Sequence, residues 1–267
     1  MDNRPIGIFD SGLGGLTVVK ELMKQLKNES IIYFGDTARV PYGNKSKATI
    51  TKFSAQIIRF LLSQDVKAVI IACNTVNSNC ELELKEMFPD LIIEGVVGPG
   101  VIMASRETKN GRIGIIGTEG TVKSGRYKER LNELHPEYQI FSKACPLFVP
   151  LVEDGWINRD VTKMVISEYL KELIDKDIDT LILGCTHYPI LFDDIKSVVG
   201  EKIQLINPAN ETAHQMKLLL LNEDMRSNNA GSCRFYVSDH KEQMQDMASM
   251  FLGCETPNVT EIDIENY

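Results

Sequence analysis

The sequence lacks any long apolar run. In its 267 residues no apolar stretch approaches the roughly eighteen residues that a membrane span needs. The longest runs, such as VKAVIIAC, have the length of buried strands. It also lacks a charged segment followed by an apolar one at its start, where MDNRPIGIFD leads directly into a strand-like run. We therefore expect a cytoplasmic protein with no membrane partner.

Metal-binding cysteine patterns are absent as well. The six cysteines stand at positions 73, 80, 145, 185, 233 and 254, with no C-x-x-C pair and no paired histidine spacing. Zinc sites use such spacings, so we expect no metal. In a cytoplasmic protein the cysteines are expected to be thiols and not disulfides.

Positive charge is scarce. The chain has 29 Lys and Arg against 37 Asp and Glu, a net charge of −8. Nucleic acids and anionic membranes bind basic faces, so we expect neither as a partner. An anionic small molecule would have to be bound by local groups that overcome the repulsion from the net negative charge.

Short apolar runs alternate with amphipathic ones along most of the chain, which predicts an α/β fold. Continuous apolar strands indicate mainly parallel sheets with helices on both faces, and such sheets bind ligands at the carboxyl ends of their strands. The predicted strands are residues 5–10, 31–36, 67–73, 112–118 and 179–185. The predicted helices contain Leu16 to Leu26, Ile50 to Leu61 and Val161 to Leu173, each with apolar residues at helical spacing.

The two halves of the chain repeat one pattern. PIGIFDSG near residue 5 is echoed by RIGIIGTEG near 112, and VKAVIIACNT is echoed by IDTLILGCTH. This echo predicts two similar three-layer α/β domains with the active site in the cleft between them. We predict that the chain crosses between the halves at GVVGPG, 95–100, and returns at NPAN, 207–210; the tail beyond carries helical patterns only.

Two cysteines end strands in matched settings. A lone buried cysteine is usually a small apolar residue, and we interpret Cys80, Cys145, Cys233 and Cys254 in that way. Cys73, however, is followed by Asn74 and Thr75, and Cys185 by Thr186 and His187, all at the ligand-binding edge. We therefore predict that Cys73 and Cys185 act as a pair.

Two opposed thiols suit the inversion of a carbon that bears hydrogen. One thiolate removes the proton from one face and the other thiol returns a proton to the opposite face. An ordinary thiol is only a few per cent ionised near neutrality. We expect the N-termini of the helices that follow both strands to stabilise the thiolates, with Asp10 and His187 relaying protons.

Simpler explanations exist for several of these residues. Asp10 could cap the following helix, Glu153 could be an exposed loop residue, and His187 could bond a backbone carbonyl. The loop DSGLGG could bind a carboxylate or phosphate through its backbone N–H groups. It could also be a dinucleotide fingerprint with Asp36 as the ribose acid, although Thr17 stands where the third glycine belongs. A dinucleotide-binding protein with structural cysteines and a binding-only protein therefore remain as alternatives.

Taken in order, several motifs resemble those of glutamate racemases, in the aspartate/glutamate racemase family. They are FDSGLGGLTV, YFGDTARVPYG, ACNT, GIIGTEGTV, CPLFVPLVEDG and LGCTHYP. The resemblance implies cofactor-independent interconversion of L- and D-glutamate, supplying D-glutamate for peptidoglycan. It also implies Cys185 as the base acting on the L-enantiomer and Cys73 on the D-enantiomer. An aspartate or broad-specificity acidic amino-acid racemase is the alternative.

The resemblance further assigns auxiliary residues and an assembly. Asp10, Glu153 and His187 are implied as auxiliary proton-handling groups. Substrate contacts are implied for Asp10, Ser11, Pro41, Tyr42, Gly43, Asn74, Thr75, Thr118, Thr121, Thr186 and His187. The implied domains are residues 1–97 with 208–267 and residues 98–207, in a homodimer.

Overall fold

The structure, a computed structural model, describes residues 1–253 and 258–267. Its strands are β1 Ile6–Asp10, β2 Ile31–Gly35, β3 Ala68–Ile71, β4 Ile92–Gly95, β5 Arg112–Gly117, β6 Gln139–Ala144, β7 Thr180–Gly184, β8 Gln204–Ile206, β9 Cys233–Val237 and β10 Val259–Glu261. Its α-helices are α1 Leu16–Gln25, α2 Lys47–Ser63, α3 Asn74–Met87, α4 Val97–Glu107, α5 Glu119–Ser124, α6 Arg126–Leu134, α7 Phe148–Glu153, α8 Asp160–Ile174, α9 Phe192–Val199, α10 Pro208–Asn222 and α11 Lys241–Leu252.

The strands form two parallel sheets. The first has the order β10-β9-β2-β1-β3-β4 and the second the order β6-β5-β7-β8. In register, Ile6 of β1 pairs with Ile31 of β2 and with Ala68 of β3. Every residue of β1, β2, β3 and β7 is buried, which explains their unbroken apolar sequences.

The two sheets repeat one strand order. The segment β2-β1-β3-β4 of the first sheet has the same order as β6-β5-β7-β8, and each catalytic candidate follows the third strand of its set. The sequence echo between the halves therefore reflects a shared topology. The prediction of parallel sheets with helices on both faces is confirmed.

Helices cover both faces of each sheet with apolar side chains. On the first sheet, α1, α10 and α11 supply one buried cluster and α2 and α3 the other. On the second sheet, α8 and α9 pack on one face, while α4 and α6 pack on the opposite one. Both sheets therefore lie in three-layer sandwiches, which leave the strand ends open for a site.

The tail differs from its prediction. Helical patterns alone were expected beyond residue 210. The tail instead contains β9 before α11 and β10 after it, and both strands extend the first sheet beyond β2. β9 alternates buried Phe235 and Val237 with the more exposed Arg234 and Tyr236, so it is not one of the unbroken apolar runs from which the strands were predicted, and β10 has only three residues. Cys254, predicted to be a packing residue, lies outside the described residues.

Two helices link the sheets. The GVVGPG segment, predicted as a crossing, ends β4 and begins α4, which packs against β7 and β8 of the second sheet. On the return, the Asn207 side chain accepts a hydrogen bond from Ala209 N at 3.1 Å and so caps α10. Helix α10 packs against both α4 and α1, which joins the two halves.

Candidate active site

Cys73 and Cys185 line one cavity at the carboxyl ends of the two sheets. Cys73 stands two residues beyond β3, and Cys185 directly follows β7. The cavity has a volume of about 390 Å³, within the range of small-molecule sites. The predicted site residues that line it are Ser11, Pro41, Tyr42, Gly43, Cys73, Asn74, Thr75, Thr118, Glu153, Cys185, Thr186 and His187. The other two, Asp10 and Thr121, lie behind its wall.

Cys73 is buried at the N-terminus of α3, where its Sγ lies 3.5 Å from Ser11 Oγ. Burial raises the pKa of Cys73 to about 12, and the charge of nearby Asp10 acts in the same direction. The hydrogen bonds with Ser11 and with the Val76 backbone N–H lower this pKa but do not outweigh burial. At neutral pH Cys73 is therefore a thiol, in the form that can donate a proton.

Asp10 is fully buried at the end of β1. Its Oδ2 accepts hydrogen bonds from Gly15 N at 3.0 Å and Gly12 N at 3.3 Å. Those two N–H groups of the DSGLGG loop therefore bind the carboxylate of the chain itself and do not face a ligand. Burial raises the pKa of Asp10, and the Thr186 hydroxyl, 3.5 Å from both carboxylate oxygens, links this group to the Cys185 segment.

His187 connects Cys185 to Glu153. Its Nδ1 lies 4.0 Å from Cys185 Sγ, and its Nε2 lies 3.1 Å from Glu153 Oε1. Burial alone would lower the pKa of His187, but the contacts with Cys185 and Glu153 and the charge of Asp10 raise it to about 10. At neutral pH the cavity therefore carries an imidazolium beside one of its two sulfur atoms.

Glu153 is the last residue of α7, where it is exposed and contacts His187 through its carboxylate. One local prediction about this side of the cavity was wrong, namely that a helix begins directly after the strand that ends at Cys185. The segment after Cys185 begins with a 3₁₀ turn over Tyr188–Leu191, and α9 begins only at Phe192. A helix N-terminus therefore directly follows Cys73 but not Cys185, where His187 provides positive charge instead.

Threonine hydroxyls join the two halves across the cavity. Thr75 Oγ1 lies 2.9 Å from Thr118 Oγ1, which in turn lies 3.1 Å from Thr121 Oγ1. Thr118 also caps α5 by accepting from Thr121 N. Next to it, Gly120 N donates to Gly43 O at 3.0 Å. Thr121 thus supports Thr118 from behind and does not reach the cavity.

The loop from residue 40 to 44 forms one wall. Within it, the Tyr42 hydroxyl bonds Asp36 Oδ2, and Asp36 also accepts hydrogen bonds from Arg39 Nε and Ser238 Oγ. Burial and the Asp36 charge raise the pKa of Tyr42 well above its ordinary value, so its hydroxyl is protonated. Asp36 therefore holds this loop in place. In the dinucleotide alternative its carboxylate would bind a ribose, but here it already accepts hydrogen bonds from Tyr42, Arg39 and Ser238.

Sequence reasoning missed several lining residues, namely Val40, Asn44, Glu119, Pro146, Val149, Pro150 and Tyr188. Most of them lie inside the motifs used above, beside residues that were selected for their chemistry. Their apolar or common side chains gave no separate signal. They form the remaining parts of the cavity wall.

Among residues 1–253 and 258–267, no group of three or more His, Cys, Asp or Glu side chains could hold a metal ion. No helix in that same part of the chain is long and apolar enough to cross a membrane. Cys80 and Cys145 are buried in apolar clusters, as predicted for packing residues. Cys233 packs against the first core cluster from β9.

Comparison with known proteins identifies the family. A family model described as Asp/Glu/Hydantoin racemase matches residues 6–216, which include every side chain of the cavity. The chain belongs to the Asp/Glu/Hydantoin racemase family. A glutamate racemase of this kind from Geobacter metallireducens is 41% identical over 264 residues, covering 98% of this chain and 97% of the relative.

Solved structures agree over the whole fold of this racemase-family chain. A glutamate racemase from Francisella tularensis, solved in complex with D-glutamate, superposes with a TM-score of 0.93 at 39% identity, covering 100% of each chain. A glutamate racemase isoform from Bacillus anthracis superposes with a TM-score of 0.95 at 36% identity, covering 98% of each chain. The resemblance drawn from the sequence motifs is therefore confirmed.

Proposed function

We propose that this chain is a glutamate racemase, an isomerase that interconverts L- and D-glutamate without a cofactor. The observation that carries the proposal is the pairing of Cys73 and Cys185 on one cavity, one thiol from each half of a repeated topology. The relatives that match over nearly their full length carry the name glutamate racemase, which supports glutamate as the substrate.

The reaction is a balanced proton exchange at Cα. One cysteine, as thiolate, takes the Cα proton and becomes a thiol, while the electron pair of the C–H bond stays on the substrate as a carbanion. The other cysteine, as thiol, gives its proton to the opposite face of Cα and becomes a thiolate. No electrons are gained or lost, and the reverse reaction exchanges the two roles.

The surroundings of the thiols support an assignment of these roles. The high pKa of Cys73 suits the proton donor, and His187, with its Nδ1 4.0 Å from Cys185 Sγ, places positive charge beside the other sulfur. We therefore assign Cys185 as the base that acts on L-glutamate and Cys73 as the base that acts on D-glutamate. Asp10 assists on the Cys73 side, and Glu153 with His187 on the Cys185 side.

The polar residues of the cavity supply contacts for an amino acid with two carboxylates. We assign these contacts to the side chains and backbone of Ser11, Asn74, Thr75, Thr118, Thr186 and His187 and to the loop residues Pro41, Tyr42 and Gly43. Asp10 and Thr121 act from behind the wall. An aspartate or broad-specificity acidic amino-acid racemase remains the second candidate, because the same groups would bind a shorter side chain.

We extend the proposal to the cellular role and assembly. The enzyme would act in the cytoplasm as a homodimer and supply D-glutamate for peptidoglycan. Its domains would be residues 1–97 with 208–267 and residues 98–207. The division is supported by the strands, since the first sheet takes β1–β4 with β9 and β10, and the second takes β5–β8.

The proposal is tested by incubating the purified chain with each enantiomer of glutamate and of aspartate, without pyridoxal phosphate. We expect loss of optical activity with L- and with D-glutamate, and a much lower rate with aspartate. Equal or faster inversion of aspartate would favour the second candidate. No inversion of any of the four would overturn the proposed function.

A further inference from the structure

The hydroxyl of Tyr127 makes a buried contact with Asn74 that the mechanism above does not use. Tyr127 lies in the first turn of α6, in the second half of the molecule, and is 2% exposed. Its Oη donates to Asn74 Oδ1 at 2.7 Å. Asn74 directly follows Cys73, so a residue of the second half contacts the catalytic segment of the first.

The ring of Tyr127 also lies against the segment that leads to Cys185. A Cβ atom added at Gly184 would lie 3.4 Å from Tyr127 Cε2, and one added at Gly100 would lie 3.2 Å from Cε1. Gly184 immediately precedes Cys185. The side chain of Tyr127 therefore lies against Gly184, which precedes Cys185, and contacts Asn74, which follows Cys73.

The chemistry of this contact determines how the Asn74 amide is oriented. Burial, with the nearby Cys185 charge, raises the pKa of Tyr127, so its hydroxyl carries a proton that needs an acceptor. Of the two polar atoms of Asn74 only Oδ1 can accept, so Oδ1 faces Tyr127 and Nδ2 points away. Within the described residues no protein group accepts a hydrogen bond from that Nδ2, and Asn74 lines the cavity.

We propose that Tyr127 is a positioning residue that fixes the Asn74 carboxamide with its N–H donors towards the substrate. The inference rests on the proposed function, because the expected acceptor is a carboxylate of the bound amino acid. Without the Tyr127 hydroxyl the amide can rotate by half a turn and present Oδ1 to that carboxylate. Two negatively polarised oxygens would then face each other, and substrate binding would weaken.

The first test is Tyr127→Phe, which removes the hydroxyl and keeps the ring between the two strand ends. We expect kcat/KM for both enantiomers to fall roughly tenfold, mainly through a higher KM, as for the loss of one buried hydrogen bond. Tyr138→Phe is the matched control, since Tyr138 is a partly buried tyrosine of the same half that stacks on His135. Its kinetics should equal those of the wild type.

A double-mutant cycle separates positioning from a general structural effect. If Tyr127 acts through Asn74, then Tyr127→Phe should change kcat/KM little further in an Asn74→Ala background. Losses that simply multiply in the double variant would overturn the proposal. Unchanged KM values for Tyr127→Phe with either enantiomer would overturn it too.

A further comparison covers the case in which Tyr127→Phe does not fold. In Asn74→Asp the residue still accepts from Tyr127 but turns a second negative oxygen to the cavity, so its kcat/KM should lie below that of Asn74→Ala. Asn74→Asp as active as Asn74→Ala would contradict the assigned donor. An inactive wild type would overturn the proposed function and this inference together, whereas an active wild type with an insensitive Tyr127→Phe would overturn only the inference.

Discussion

The two sulfur atoms of the cavity have different neighbours, and this difference determines what each substitution should do. Cys73 has the Ser11 hydroxyl and the buried Asp10 carboxylate, while Cys185 has His187. A change on the Cys185 side is therefore expected to slow mainly the removal of the Cα proton from L-glutamate. A change near Cys73 is expected to slow mainly the removal of the Cα proton from D-glutamate. Removal of either sulfur should stop both directions, because each turnover needs one acid and one base.

Substitution of either cysteine tests the pair directly. Cys73→Ala and Cys185→Ala should each lower kcat for racemisation by at least ~100-fold in both directions, the lower end of what general acid–base catalysis contributes. Cys80→Ala is the control, because Cys80 is fully buried in α3, away from the cavity lining. It should lower stability by about 1 kcal/mol and leave kcat nearly unchanged. A Cys80→Ala variant as inactive as the other two would refute the assignment.

The protonation of His187 gives a second test. Because Glu153 is one cause of the raised pKa, Glu153→Gln should lower the pKa of His187 from about 10, measured by NMR titration of the imidazole. The folded-state pKa exceeds the ordinary 6.5, so protonation of His187 adds stability that is fully present below pH 6.5 and is lost as pH rises through about 10. A wild-type His187 that loses its proton near pH 6.5 would contradict this.

Site residues that directly follow a predicted strand could be identified from the sequence. Residues that reach the site only through packing of distant segments could not. Cys73, Asn74, Cys185 and His187 were selected because the carboxyl ends of parallel strands meet at one edge. Tyr127 stands in a polar amphipathic helix, 53 residues from its partner Asn74, and nothing in its local sequence indicates the contact. Such contacts depend on how two halves dock.

At the scale of elements, the central strands other than β9 were predictable and the edge strands were not. Strands with both faces covered have unbroken apolar sequences, as in β1 and β7. β6, at the edge of the second sheet, has no fully buried residue and a polar composition, QIFSKA, and was missed. The edge strands β4, β8 and β10 have only three or four residues, too short for a period to be recognised.

The start of the first sheet depends on a buried ion pair. Lys67, just before β3, places its Nζ 2.6 Å from Glu29 Oε2 and donates to the backbone carbonyls of Asp2 and Met225. Loss of one partner leaves a buried charge, so Lys67→Met should lower the free energy of unfolding by about 3–5 kcal/mol in urea titrations. Lys123→Ala, which breaks an exposed pair with Glu119, should cost less than ~1 kcal/mol. Equal effects would show that the buried pair is not important for stability.

At the scale of the whole molecule, the site exists only where the two sheets meet. Each sheet supplies one thiol and polar side chains next to it, and contacts such as Thr75 with Thr118 join the halves directly over the cavity. The repeated strand order brings both cysteine segments to equivalent positions. This arrangement is suited to a reaction that treats two mirror-image substrates alike, because removal and return of the proton use opposite sides of one carbon.

The most direct test of this account follows the hydrogen at Cα in D₂O. Purified enzyme is incubated with L-glutamate in D₂O, and both enantiomers are separated and analysed during the first few per cent of conversion. The account predicts that newly formed D-glutamate carries deuterium at Cα while the remaining L-glutamate still carries protium, with the mirror result from D-glutamate. Early D-glutamate that retains the substrate proton, or recovered L-glutamate labelled as fast as the product, would contradict two separate bases.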